Sequence, residues 1–166
     1  MTIHAEHPFA DPEPDPVRRL RGRVGGTASL WTTGAGADRA GLTVTSYVVA
    51  NGAPARILGL LDPDADLTER LLETGTAVVA LLAWEHRDLA EMFGGTAPAP
   101  GGAFRQADFV DTEWGPRLAS ATTWAGVRLE EQQEVGWSLL VTTTVEHVEA
   151  GGDDDPLRHR RGRFER

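Results

Sequence analysis

The chain has 166 residues, no cysteine, and 16 basic residues that are all arginine, against 25 acids for a net charge of −9. That length suits one domain, able to bury roughly 70% of its unfolded surface without staples. The missing cysteines exclude thiol catalysis, thiolate metal sites, iron–sulfur clusters and a disulfide scaffold, and the missing lysines exclude Schiff-base and P-loop chemistry.

The charge is uneven. Residues 158–166 hold five arginines and one acid, so this tail is +4 and the rest of the chain −13. Duplex nucleic acid needs a broad basic footprint and is not an expected partner. A small anion is different, because screening limits the body's repulsion to ~8 Å at physiological salt. No apolar run approaches the ~20 residues that span a bilayer, and the first residues carry neither the charged nor the apolar region of a secretory signal. A soluble, cytoplasmic domain is expected.

Residues 1–16 hold four prolines and four acids and predict a loose arm preceding a domain over 17–166. PVRRLRGR reads as a short helix or turn. TASLWTT is strand-like, GAGADRAG a hairpin connection and LTVTSYVVA a second strand. ARILGLLD, apolar on both faces, predicts a buried third strand. DLTERLLETG predicts a helix capped reciprocally by Asp66 and Glu69, stopped at Gly75, with Leu67, Leu71 and Leu72 on its core face.

TAVVALLAW returns as a strand. EHRDLAEMFGG predicts a second helix, with Leu89, Met92 and Phe93 inward and its glycines as the stop. APAPGGAFRQADF is too rich in proline and glycine to be regular. The last third alternates as β-structure, at Ala121, Thr123, Ala125, Val127 and Leu129, then at Leu139, Val141, Thr143 and Val145. PLRHRRGRF closes as a terminal strand, with His159, Arg161 and Arg163 on one face by period two. Six or seven strands with two helices inserted midway predict a mainly β barrel, which also removes exposed sheet edges.

The common catalytic signatures fail. GAGADRAG has Arg39 in place of the third glycine and precedes a strand, so it is no dinucleotide fingerprint. No serine lies in GxSxG, and no histidine pair has zinc-helix spacing. His86 reads as a polar-face residue and His147 as a packed or edge-strand one; Glu130-Glu131 and Asp153 to Asp155 read as a solvated face and a turn. Two features remain: the hydroxyls of Thr43, Thr45 and Ser46, and the basic LRHRRGRF. Together they suit a ligand with an anionic tail and a planar, hydrogen-bonding ring.

The order of the pieces carries more. TASLWTTG, then GLTVTSY, an apolar strand running to LLETG, TAVVALL, MFGG, AFR, a late tryptophan-containing turn and LRHRRGRF resemble, over roughly residues 20–164, the flavin reductase-like, FMN-binding split-barrel family. The resemblance implies a homodimer of split barrels with FMN at the subunit interface. It implies hydride transfer from NADH or NADPH to FMN, and supply of reduced flavin to a partner monooxygenase. Thr43, Val44, Thr45 and Ser46 would line the ring and ribityl chain. Asp62 to Leu67 would occupy the segment that meets the phosphate, and catalytic His159, with Arg163 and Phe164, would sit beside flavin and nicotinamide.

Two positions depart from the family. Ala65 and Asp66 stand where many members carry Ser and Arg or Thr, which leaves Arg161 or a residue of the second chain for the phosphate; Phe164 replaces the usual closing Tyr. The alternatives are a flavin or deazaflavin binding protein without reductase activity, and a non-catalytic split-barrel subunit that meets a partner through its proline-rich arm and the exposed members of Trp114, Trp124 and Trp137.

Overall fold

The computed structural model describes residues 15–153 and 155–166. The acidic arm therefore lies outside the described residues, except that Asp15 caps and Pro16 opens a helix, α1 (Pro16–Arg23). The Asp15 carboxylate accepts the Val17 N–H at 2.9 Å, and proline at the first helical position loses no bond. β1 (Gly26–Thr27), β2 (Ser29–Thr33), β3 (Ala40–Val44), β4 (Tyr47–Ala50) and β5 (Arg56–Leu61) follow, then α2 (Asp66–Thr74), β6 (Thr76–Leu81) and α3 (Arg87–Phe93). The remainder is β7 (Phe109–Thr112), β8 (Gly115–Leu118), the long hairpin β9 (Trp124–Val135) and β10 (Ser138–Glu149), and β11 (Arg158–Arg160) with β12 (Arg163–Glu165).

Seven strands form one antiparallel sheet in the order β3-β2-β6-β9-β10-β5-β4, beside small sheets β1-β11-β12 and β7-β8. The edge strands β3 and β4 are consecutive in the chain, joined only through Thr45 and Ser46. In a flat sheet those edges would lie about 29 Å apart, six gaps of ~4.8 Å. The linker spans at most about 11 Å, so the sheet must curl into an open barrel. The expected single strand LTVTSYVVA is thus two strands on opposite edges, with a corner between them.

Alternation sorts the side chains into two cores. Trp31, Val44, Ala77, Val79, Val127 and Val141 point inward with Leu67 and Leu71 of α2, which plugs the barrel; Leu30, Val78, Ala80 and Trp124 point outward under Leu89, Ala90 and Phe93 of α3. β2 is therefore buried along its whole length. Gly59 is required by this packing, since a Cβ there would stand 2.8 Å from the Trp31 ring.

Several expectations are corrected. Asp66 is not the cap of α2: Ala65 occupies that position, the Asp62 carboxylate accepts the Asp64 N–H, and the buried Thr68 hydroxyl donates to the Asp62 carbonyl. Gly75, at φ +75°, does end the helix. Leu72 is 42% exposed, because two turns of so short a helix present only Leu67 and Leu71 to the barrel. β5 is buried on one face only, through Ile57, Gly59 and Leu61. The terminal strand is a hairpin, turning at Arg161 (φ +56°) and Gly162 (φ +75°); period two across residues 159–163 fails because the chain reverses there.

His86 is buried rather than on a polar face. The Ala83 N–H donates to its Nδ1 at 3.0 Å, so its proton sits on Nε2 and is donated to Ser120 Oγ at 2.8 Å. That tautomer cannot act as a base toward the serine. Burial lowers its pKa, against an opposing pull from Glu85. His147 is packed against Trp114, the rings stacked at 5.3 Å, and against Trp124. Of the three tryptophans, Trp124 is buried, Trp114 half-buried, and Trp137, at the β9–β10 tip, 98% exposed.

Candidate functional site

A cleft of about 1390 Å³ opens where the β3–β4 corner, the outer face of β4 and β5, the α1 helix and the β11–β12 hairpin meet. Each wall has a different chemistry. At the corner, the Thr45 and Ser46 side chains line the cleft, and among the described residues neither hydroxyl has a protein hydrogen-bond partner. Ser46 serves the fold through its main chain, its carbonyl accepting the Leu60 N–H at 2.9 Å.

The floor is apolar, formed by Val48, Val49, Leu58, Leu60 and Leu140. Val48 is 62% and Val49 61% exposed. ARILGLLD was apolar on both faces for this reason: one face fills the barrel, and the other is cleft floor.

Tyr47 ties the walls together. Its hydroxyl donates to the Thr27 carbonyl at 2.8 Å, and burial pushes its pKa up to about 12. Thr27 belongs to β1, which pairs with β11 so that Gly26 lies opposite His159. His159 lines the cleft, its ring edge-on to Phe164 at 5.1 Å. Burial lowers its pKa and the Arg21 guanidinium lowers it further, so the imidazole is neutral at physiological pH.

The rim is cationic. Arg18, Arg19, Arg21 and Arg23 of α1 and Arg161 of the hairpin turn line the cleft, and among the described residues no acid does. Arg161 holds a left-handed backbone conformation that asparagine or glycine would adopt more readily. Such a residue costs on the order of 1–3 kcal/mol. Its N–H donates to the Gly22 carbonyl at 2.6 Å, which fastens the turn to α1.

Of the residues singled out from sequence, the structure brings Thr45, Ser46, His159 and Arg161 to the cleft. It does not bring Thr43, whose hydroxyl donates to the Ala90 carbonyl of α3 at 2.7 Å, or Val44, which is core. Asp62, Ala65 and Asp66 lie at the start of α2, and Leu67 is buried in the barrel. Arg163 and Phe164 lie on β12, Phe164 touching the cleft only through His159. Sequence reasoning missed the α1 arginines and Tyr47. Four arginines in eight residues of an acidic chain were the available signal for the first, and the closing position of GLTVTSY was the signal for the second.

A flavin fits these walls. The apolar floor suits a planar ring, the free hydroxyls suit its ribityl chain and carbonyl edge, and the guanidinium rim suits phosphate.

Comparison with known proteins agrees in kind. The family model described as "Flavin reductase like domain" matches residues 21–166. The curated FMN reductase (NADH) RutF of Methylorubrum populi is 26% identical over 170 residues, covering 99% of this chain and 81% of its own. Among solved structures, the NADH:FAD oxidoreductase SgcE6 of Streptomyces globisporus superposes with a TM-score of 0.81 at 23% identity, covering 96% of this chain and 98% of its own. The styrene monooxygenase flavin reductase of Pseudomonas putida S12 does so with a TM-score of 0.79 at 18% identity, covering 91% and 96%. At these identities the structural likenesses establish the fold.

Proposed function

The chain belongs to the flavin reductase-like family, and from that premise we propose that it transfers hydride from NAD(P)H to FMN in the cleft beside the β3–β4 corner. The observation that carries the reading is the junction, in one cleft, of an apolar floor, His159 and two hydroxyls without protein partners among the described residues. FMN held by Thr45, Ser46 and the apolar floor would supply the two-electron acceptor for the hydride that NAD(P)H carries.

The protein's part is orientation, not acid–base catalysis. Thr45 and Ser46 hydrogen-bond the ring and ribityl chain. Leu58, Leu60 and Val48 give the ring an apolar surface and exclude water from one face. His159, held against β1, stands beside the reacting rings as a neutral donor and acceptor. Phe164 supports it from β12, where Arg163 stands opposite Arg160, and the Asp62 to Leu67 turn lies too rich in carboxylate to serve as the main phosphate contact.

A second copy of the chain completes the site. Val48, Val49, Leu60 and Val135 are exposed apolar residues of the cleft lining, and a dimer closing over them would wall the cleft on its open side. The reduced flavin is passed to a partner monooxygenase, a reading supported by the names of the styrene monooxygenase flavin reductase and of a 4-hydroxyphenylacetate 3-monooxygenase reductase component that the chain resembles. Among the described residues no helix is long and apolar enough to cross a membrane.

The test is a visible spectrum of the purified protein titrated with FMN, followed by NADH or NADPH under anaerobic conditions. Flavin bands that shift on binding and bleach on reductant are expected. Bands that shift without bleaching with either donor would overturn the reductase reading in favour of a flavin carrier, and absence of any shift would overturn both.

A further inference from the structure

We infer that the arginine rim of α1, closed by Arg161, is a nucleotide-phosphate subsite of the cleft. The inference rests on the flavin reading for the rest of the cleft, but its own evidence is separate.

Five guanidiniums line one edge of one cleft in a protein of net charge −9. The ion pairs among the described residues use Arg56, Arg70, Arg87, Arg128 and Arg166 instead. α1 buries no side chain, so packing does not explain its arginines. Arginine is the residue that grips phosphate through two parallel N–H bonds. Arg161 sits at a turn position better suited to glycine, with its main chain fastened to Gly22. The turn at the start of α2 offers no rival site. The Asp62 carboxylate accepts the Asp64 N–H, the first turn of α2 carries Asp66 and Glu69, and carboxylate there repels phosphate.

A cleft of about 1390 Å³ exceeds the ~300–1,000 Å³ of a typical single-ligand pocket, so the phosphate held at the rim belongs either to FMN or to the nicotinamide nucleotide. These share the same chemistry at the guanidiniums, and the experiment separates them.

The variant Arg18→Gln/Arg19→Gln/Arg21→Gln/Arg161→Gly removes four guanidiniums, the last at a position where glycine relieves the backbone. Arg105→Gln, outside the cleft lining, is the charge control. Calorimetric titration with inorganic pyrophosphate is expected to show salt-sensitive binding by the wild-type protein and the control, weakened at least about tenfold in the variant, the scale of one charge-assisted hydrogen bond.

FMN affinity that falls while riboflavin affinity holds would support the inference with flavin phosphate as the ligand. A rise in KM for NADH or NADPH at unchanged FMN affinity would support it with the nicotinamide nucleotide as the ligand. Pyrophosphate binding that is absent in the wild-type protein or unchanged in the variant would overturn it. So would riboflavin and FMN affinities that fall together, since riboflavin has no phosphate. A wild-type protein that binds pyrophosphate at the rim but neither flavin would support the subsite while overturning the flavin reading.

Discussion

The double substitution Thr45→Val/Ser46→Ala separates binding from folding at the corner. Thr45→Val keeps the β-branched shape, and Ser46→Ala leaves untouched the main-chain carbonyl that accepts the Leu60 N–H. Neither hydroxyl has a protein partner among the described residues, so their loss should change stability by no more than about 0.5 kcal/mol. In a chain of this size that is a Tm shift of about 2 °C or less. Each hydrogen bond lost to flavin is worth about 0.5–1.5 kcal/mol, so the pair weakens FMN binding by about 1–3 kcal/mol, or roughly 5- to 150-fold in Kd. The assay is an absorbance or fluorescence titration with FMN beside a thermal melt. Thr43→Val, two residues away, should behave in the opposite way. Its hydroxyl is committed to the Ala90 carbonyl of α3, so about 1 kcal/mol of stability should be lost with FMN affinity intact. An unchanged Kd in the double variant, or a Kd that moves most in Thr43→Val, would refute the assignment of the corner as the ring contact.

Three further outcomes are expected. Tyr47→Phe removes the O–H···O bond to Thr27 and leaves a part-buried carbonyl unpaired, costing about 1–3 kcal/mol; the melt should fall by roughly 2–10 °C, and hydride transfer should slow because β1 no longer fixes His159. Burial lowers the His86 pKa, so its stabilising neutral form is fully present above 6.5 and is lost as pH falls below that value toward the folded-state pKa; wild-type Tm should drop between pH 7.5 and 5.5 by more than that of His86→Asn. Burial first, and then Arg21, lowers the His159 pKa, so an NMR titration of the imidazole should move upward in Arg21→Gln, and an unmoved titration would show that the two groups do not face each other in solution.

Much of the fold was legible because one face of each strand had to be apolar. The alternation at Leu139, Val141, Thr143 and Val145 gave β10 its inward face, and Gly75 marked the end of α2. What escaped was set by contacts distant in sequence. LTVTSYVVA has the propensity of one strand, and only the pairing of its halves with β2 and β5, on opposite sides of a curled sheet, breaks it. His86 looked solvent-facing because its partner, Ser120, lies 34 residues on. In the site, Ser46, Thr45 and His159 were readable from residue type and motif. The α1 arginines were not, since a polar helix at a chain end usually contacts only water, and it is the turn at Arg161-Gly162 that brings the hairpin beneath it.

Closure of the barrel explains why a cleft lies at this corner. A sheet whose edge strands are consecutive has to pass from one edge to the other over a very short linker, and that linker cannot pair fully with either. Thr45 and Ser46 therefore keep hydroxyls, and part of their main chain, turned away from the ladder. The edge strand β4 has no strand beyond it and leaves both Val48, on the Leu58 face, and Val49, on the Ile57 face, exposed, so the same corner sits beside apolar surface that the lone fold leaves uncovered. The hydroxyls are open to a ligand in place of water, and an uncovered apolar face is costly alone. Placed side by side, they match the two surfaces of a ring that is apolar across its plane and hydrogen-bonding along its edge, and a flavin covers both at once.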